Sequence, residues 1–266
     1  MNRTALITGA SKGIGLELAR IHASKGDNLI LVARTKERLD DLKVELEKKF
    51  LVKVYTIEKD LSLRSSARDV YDEVINNGMS VDYLINNAGF GDFGLFAECN
   101  WDKQEKMINL NINALVHLTR LFLPEMIKRG GGKILNVAST AAFQPGPTMS
   151  VYFASKAFVL SFSEAVNYEV KDKGITVTAL CPGSTESDFH AVVVDNPDLV
   201  TDRKMSSAKE VAVYGYRAMM KGKPVAIQGF KNSVMANAVR FFPRGFIVKM
   251  VRKIQVGKHF KEIQVS

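Results

Sequence analysis

Thr4-Ala5-Leu6-Ile7-Thr8, running straight into Gly9-Ala10-Ser11-Lys12-Gly13-Ile14-Gly15 and then Leu16 to Ala23, is the stretch that decides the fold. The first five residues read as a short buried strand. After the glycines, Leu18, Ala19 and His22 recur at helical spacing, so a helix follows. A glycine-rich turn between strand and helix lets the backbone approach a phosphate and aims helix N–H groups at it. The spacing here is G-x-x-x-G-x-G, not the G-x-G-x-x-G of the standard dinucleotide fingerprint.

The same alternation continues along the chain. Strands are expected near Thr4–Thr8, Leu29–Ala33, Lys53–Ile57, Tyr83–Asn86, Lys133–Val137 and Thr176–Leu180, with a last one near Val225–Gln228. Helices are expected over Gly13–Ser24, Lys36–Phe50, Arg64–Asn77, Trp101–Arg129 and Met149–Lys173. Strands alternating with helices of these lengths give a parallel sheet covered on both faces. Right-handed crossovers then make it a doubly wound α/β sheet of the Rossmann type, with ligands at the carboxyl ends of the strands. No repeat, low-complexity stretch or linker interrupts it. The expected organisation is one catalytic domain over residues 1–229 with a C-terminal extension, 230–266.

The chain has 266 residues, 46% hydrophobic and 24% charged, which suits one α/β domain. No apolar run approaches eighteen residues, so no spanning helix is expected. The N-terminus enters a strand by its fourth residue, so no signal peptide is expected. Cys99 and Cys181 are the only cysteines and lack metal-ligand spacing. A reducing cytoplasm is the expected setting. Of the net charge of +9, residues 231–266 hold eight Lys/Arg against one acid, leaving +2 for the body.

Further along, Tyr152 and Lys156 stand in a helical stretch, VYFASKAFVLSFSEAV. Positions i and i+4 lie on one helix face a turn apart. Free tyrosine has a pKa of about 10, and an ammonium within roughly 4–6 Å favours the phenolate and lowers it. The pair is therefore expected to make a proton donor of tuned strength.

TGASKGIG at the start, NNAG at Asn86–Gly89, Ser139 thirteen residues before Tyr152, and Y-x-x-x-K together resemble the short-chain dehydrogenases/reductases. The ladder of motifs runs from Thr8 to Ser187. The resemblance implies an oxidoreductase that binds a nicotinamide cofactor through Gly9, Ser11, Lys12, Gly13, Ile14 and Gly15. At the end of the second strand, NAD binders place an acid for the ribose 2′-hydroxyl. This chain has Arg34-Thr35 there, and a planar guanidinium suits a 2′-phosphate, with Lys12 as a second cation. NADP(H) is therefore expected. By the same resemblance Asp60 and Leu61 meet the adenine, and Asn87, Ala88 and Gly89 leave room along the nucleotide. Pro182, Gly183, Thr185 and Ser187 match the segment that holds the nicotinamide carboxamide. Asp60 also reads as a helix-start residue, and Pro182-Gly183 as a strand end and turn.

The catalytic set implied is Asn111, Ser139, Tyr152 and Lys156. Tyr152 protonates the developing alkoxide, Lys156 stabilises the phenolate and holds the nicotinamide ribose, and Ser139 steadies the developing charge. Asn111 holds a water that links Lys156 to solvent; Asn109 and Asn113 flank it closely enough to compete for the assignment. The reaction expected is reduction of a ketone or aldehyde. An alternative is a catalytically silent nucleotide-bound regulator.

Phe90–Phe96, Phe143–Pro147 and Asp188–Lys204 are expected to wall the substrate site, contributing Phe90, Phe93, Phe96, Phe143, Phe189 and Val192–Val194. Such walls suit a bulky apolar carbonyl, lipid-like, steroid-like or aromatic. Between Ser233 and Ile254, apolar residues recur at helical spacing among cations, broken by Pro243 and Gly245. Two short basic amphipathic helices are expected, packed on their own domain, lying on an anionic membrane surface or covering a subunit neighbour. The tail has no nucleic-acid recognition module. The two long helices resemble those through which the family forms homodimers and homotetramers.

Overall fold

Seven parallel strands form the sheet of the computed structural model, which describes residues 2–186 and 205–256. They are β1 (Thr4–Thr8), β2 (Asn28–Ala33), β3 (Val54–Glu58), β4 (Tyr83–Asn86), β5 (Gly132–Val137), β6 (Ile175–Cys181) and, at the far edge, β9 (Val225–Ile227). Their order is β3-β2-β1-β4-β5-β6-β9, so the direction of winding reverses between β1 and β4. That switch point leaves a crevice at the strands' carboxyl ends. β7 (Thr185–Glu186) and β8 (Ser206–Ser207) pair separately in parallel.

Alternation along each strand divides the core. From β1, Ala5 and Ile7 point to one face and Leu6 to the other. The first face is covered by α1 (Gly13–Ser24), α2 (Lys36–Phe50) and α7 (Ala208–Met220), through residues such as Leu18, Leu39 and Val211. The second is covered by α3 (Ser66–Asn76), α5 (Leu115–Arg129) and α6 (Ser150–Val170), through Val70, Phe122 and Val166. Each fully buried Leu or Ile contributes about 1.5–3 kcal/mol.

Helix α7 is absent from the expectations above. Its start is nevertheless written in the chain: the Ser207 hydroxyl accepts from the Glu210 amide at 3.2 Å, and the Glu210 carboxylate accepts from the Ser207 amide. That reciprocal cap is the S-x-x-E pattern. The expected continuous helix over 101–129 is divided into α4 (Trp101–Ile108), a π-helical turn over Asn109–Ala114, and α5. In the C-terminal segment, α8 (Phe230–Ala238) and α9 (Arg244–Val256) are the two expected helices, separated by a 3₁₀ turn (Val239–Phe241) and Pro243.

Candidate active site

The turn after β1 is built for close approach. Gly9 and Gly13 have φ of +65° and +57°, a left-handed conformation that favours glycine. A Cβ on Gly15 would strike the Gly9 carbonyl and sit 2.5 Å from Asn87 Nδ2; one on Gly9 would sit 3.0 Å from Ala88 Cα. This loop is tied to the end of β4 by Thr8. Its buried hydroxyl accepts from the amides of Asn87 and Ala88, both at 3.0 Å, and donates to the Ile85 carbonyl. Asn87 Nδ2 donates back to the Thr8 and Gly9 carbonyls. Thr8, the first residue of the motif ladder, is thus a joint between the two loops. The cradle that a Cβ would fill fits the pyrophosphate of a dinucleotide.

Around this cradle the other predicted residues are gathered. Arg34, the residue after β2, is exposed, as is Lys12. Asp60 follows β3 and folds back on itself, its carboxylate accepting from the Ser62 amide and hydroxyl at 2.9 and 2.8 Å. Leu61 is buried among the residues of α3 and α5. Pro182 closes β6, its carbonyl accepting from the Thr140 amide at 2.9 Å. Thr185 donates to the Gly183 carbonyl at 3.0 Å. Ser187, Phe189 and Val192–Val194 lie outside the described residues.

The π turn settles which asparagine faces inward. Asn111 is buried, while Asn113 donates to Asn109 at 2.8 Å on an outer surface. Inside the turn, Asn111 Oδ1 accepts from the Phe90 amide at 3.1 Å, and Nδ2 donates to the Phe90 carbonyl and to Ser155 Oγ. Both amide donors are therefore spent on protein. The side chain clamps the Phe90 backbone to α6. A π turn adds one residue to a helix and re-aims side chains locally, a common device at functional sites.

Ser139 follows β5 and caps the 3₁₀ turn Thr140–Phe143, accepting from the Ala141 amide at 3.1 Å. It is also hydrogen-bonded to Tyr152. Tyr152 and Lys156 share the inner face of α6, and both are buried. Their charge relationship departs from expectation. Burial pushes the Tyr152 phenol up to about 12, the Ser139 hydrogen bond offsetting part of the rise. Lys156 Nζ stands 5.8 Å from the Tyr152 ring centroid and donates instead to the Val137 carbonyl at 2.8 Å. Burial brings that ammonium down to about 8, Cys181 acting the other way. Desolvation wins over pairing at both groups. The protein alone holds a protonated phenol beside a lysine that ionises near neutrality.

Tyr152 belongs to an apolar cluster with Met107, Met149, Phe153 and, from α9, Ile247 and Val251, and Phe90 and Phe93 pack against that cluster. Those two C-terminal residues carried no motif, and only the fold reveals them here. Gly89 brings the ends together: a Cβ there would sit 2.9 Å from Asn111 Oδ1 and 3.4 Å from Lys156 Nζ. Cradle, phenol, ammonium and apolar wall thus lie along one edge of the sheet. No group of three or more metal-ligating side chains occurs among the described residues.

A family model described as short chain dehydrogenase matches residues 3–198. The chain belongs to that family. This short-chain dehydrogenase is 32% identical over 247 residues to a very-long-chain 3-oxoacyl-CoA reductase of Rattus norvegicus, covering 89% of its own length and 77% of the relative. It superposes on a short-chain dehydrogenase from Sphingobium yanoikuyae, solved in complex with NADPH, with a TM-score of 0.80 and 29% identity. That match covers 99% of this chain and 98% of the other. A bulky-bulky ketone specific alcohol dehydrogenase from Comamonas testosteroni is 28% identical with a TM-score of 0.79, over 99% and 97% of the two chains.

Proposed function

We propose that this short-chain dehydrogenase reduces bulky apolar ketones or aldehydes, with NADPH as hydride donor and Tyr152 as proton donor. The observation that carries the reading is that Tyr152 belongs to one apolar cluster with Met149, Phe153, Ile247 and Val251, against which Phe90 and Phe93 pack. A polar substrate such as a sugar would leave its hydroxyls unpaired against that wall. Both the long-chain 3-oxoacyl reductases and the bulky-ketone dehydrogenase among its relatives act, by their names, on ketones of this character.

NADP(H) is the cofactor. Arg34 stands where an NAD enzyme carries an acid, and its exposed guanidinium can form two charge-assisted bonds to a 2′-phosphate. Lys12 adds charge from the neighbouring loop, and Gly9, Gly13 and Gly15 admit the pyrophosphate. Bound NADPH supplies the hydride; the side chains supply position and the proton. Tyr152, protonated at neutral pH, donates its hydroxyl proton to the carbonyl oxygen as the C–O bond becomes an alcohol. Ser139 orients the phenol through its hydrogen bond to it. Lys156, anchored on Val137, places a positive charge beside the phenolate that remains and assists its reprotonation from solvent. Asn111 keeps the Phe90 segment and α6 in register. A silent regulator would have no need of this assembled set.

The test is NADPH oxidation with a panel of bulky aryl ketones, steroid ketones and a long-chain 3-oxoacyl thioester, beside small polar ketones and a ketose. Turnover confined to the apolar members, reduced about 10²–10⁴-fold in Tyr152→Phe with NADPH binding kept, is the expected result. Preference for the ketose would overturn the substrate reading. Unimpaired turnover by the variant would overturn the role of Tyr152.

A further inference from the structure

The two C-terminal helices are fixed from one side and expose apolar surface on the other. Their inner contacts are specific: Asn232 lies against Gly183 and donates to the Gln228 carbonyl at 2.7 Å, and Ala236 is buried. Ile247 and Val251 complete the cluster at Tyr152. The outer side presents Phe230, Val234 and Met235 on α8, Phe241 and Phe242 at the joint, and Phe246, Met250 and Ile254 along α9. Phe230 and Phe241 are each 85% exposed and Phe246 54%, and Phe242 and Phe246 stack with ring centroids 5.7 Å apart. Scattered apolar residues are ordinary on a surface; a run of eight large ones within one segment marks an interaction face.

The charge pattern names the partner. Lys231, Arg240, Arg244, Lys249, Arg252 and Lys253 are interleaved with these side chains, and residues 230–256 contain no Asp or Glu. On α9, Phe246, Met250 and Ile254 follow one another at steps of four. They make a stripe beside the buried Ile247–Val251 stripe, with Lys249 and Lys253 on its other flank. We propose that this face seats the enzyme on an anionic lipid surface, the phenylalanines entering the acyl boundary and the cations meeting headgroup phosphates. A second copy docked across a two-fold axis would set six cations against six with no acid between them, so charge selects against that occupant. Helix α9 then has one stripe in the lipid boundary and the neighbouring stripe, Ile247 and Val251, in the apolar cluster that includes Tyr152. An apolar substrate dissolved in the bilayer would then meet the helix that contributes to the cluster of Tyr152. That last consequence rests on the apolar-ketone reading; the docking itself does not.

The experiment uses the full-length protein and sedimentation with vesicles of phosphatidylcholine alone or mixed with phosphatidylglycerol, needing no turnover. Binding to the mixed vesicles only is expected, weakening about tenfold when salt is raised from 0.1 to 1 M as the charges are screened. Two variants should each abolish it while keeping the native circular dichroism: Phe241→Ser with Phe246→Ser, and Lys249→Glu with Arg252→Glu and Lys253→Glu. Failure of the wild type to sediment with anionic vesicles would overturn the proposal, as would full binding by both variants. A solution dimer that the phenylalanine pair dissociates, with no vesicle binding, would assign the face to a second copy instead.

Discussion

Lys156 Nζ donates to the Val137 carbonyl at 2.8 Å and stands 5.8 Å from the ring centroid of Tyr152, one turn away on the same helix. The ammonium is thus held by the sheet rather than by the phenol. Since burial dominates at both residues, the phenol is pushed up to about 12 and the ammonium down to about 8. A donor that stays protonated suits reduction, where the oxygen receiving the proton is far more basic than a phenolate.

The lysine makes the first prediction. Its folded pKa lies below the ordinary 10.5 of the unfolded chain. Between pH 8 and 10.5 the unfolded chain therefore holds more protons, and stability rises with pH across that window. Below pH 8 the native state bears the whole cost of a buried charge. Lys156→Met removes that dependence while adding a constant cost for the orphaned Val137 carbonyl. The stability of the variant relative to wild type should fall by about 3 kcal/mol from pH 7 to pH 10.5, at about 1.4 kcal/mol per unit. Urea unfolding at the two pH values measures it, and a pH-independent difference would show that the ammonium is not desolvated.

Gly15 and Gly26 separate two effects of adding a methyl group. At Gly15 a Cβ meets the Gly9 carbonyl and Asn87, so Gly15→Ala must push apart the cradle and the end of β4. Gly26 has φ +80° but nothing within 4 Å of a Cβ. Gly15→Ala should cost about 1–3 kcal/mol by overpacking and abolish measurable NADPH binding. Gly26→Ala should cost about 1–2 kcal/mol in backbone strain and leave binding unchanged. Thermal unfolding and quenching of protein fluorescence by NADPH distinguish the two.

Asn111 and Asn113 sit two residues apart in the π turn, yet only the first is buried. Asn111→Ala leaves the Phe90 amide and carbonyl and Ser155 without their partner, an expected loss of about 2–4 kcal/mol. Asn113→Ala gives up one exposed bond to Asn109 and should stay within about 0.5 kcal/mol of wild type. Paired urea titrations give both values. Equal losses would mean that the clamp is unimportant.

These cases also show what a sequence can hold. The strands and the glycine turn were legible because alternation, apolar runs and backbone permissiveness are local properties. Tyr152 and Lys156 were legible as neighbours because i and i+4 share a helix face. The pKa order was not, because it depends on burial by distant elements and on what the lysine bonds. Periodicity alone placed a helix over Asn109–Ala114 but could not reveal the extra residue in its turn. Ser207 and Glu210, an S-x-x-E pair, do mark the start of α7 in the sequence. Ile247 and Val251 share a cluster with Tyr152 only through a fold that returns α9 to it.

Arg34 provides the last prediction. It follows β2 directly, and the Ala33 carbonyl before it is fixed by the Lys59 amide at 2.9 Å, so the backbone that presents the guanidinium is part of the sheet's edge. Arg34→Asp should remove the charge-assisted bonds to a 2′-phosphate and place a like charge near it. A loss of about 1.5–3 kcal/mol corresponds to roughly ten- to hundredfold weaker NADPH binding. NADH has no phosphate at that position and offers a 2′-hydroxyl that a carboxylate can accept from, so its affinity should hold or improve. Dissociation constants for both cofactors on wild type and variant decide the matter. A parallel loss for NADH and NADPH would mean that Arg34 supports the loop rather than reading the phosphate.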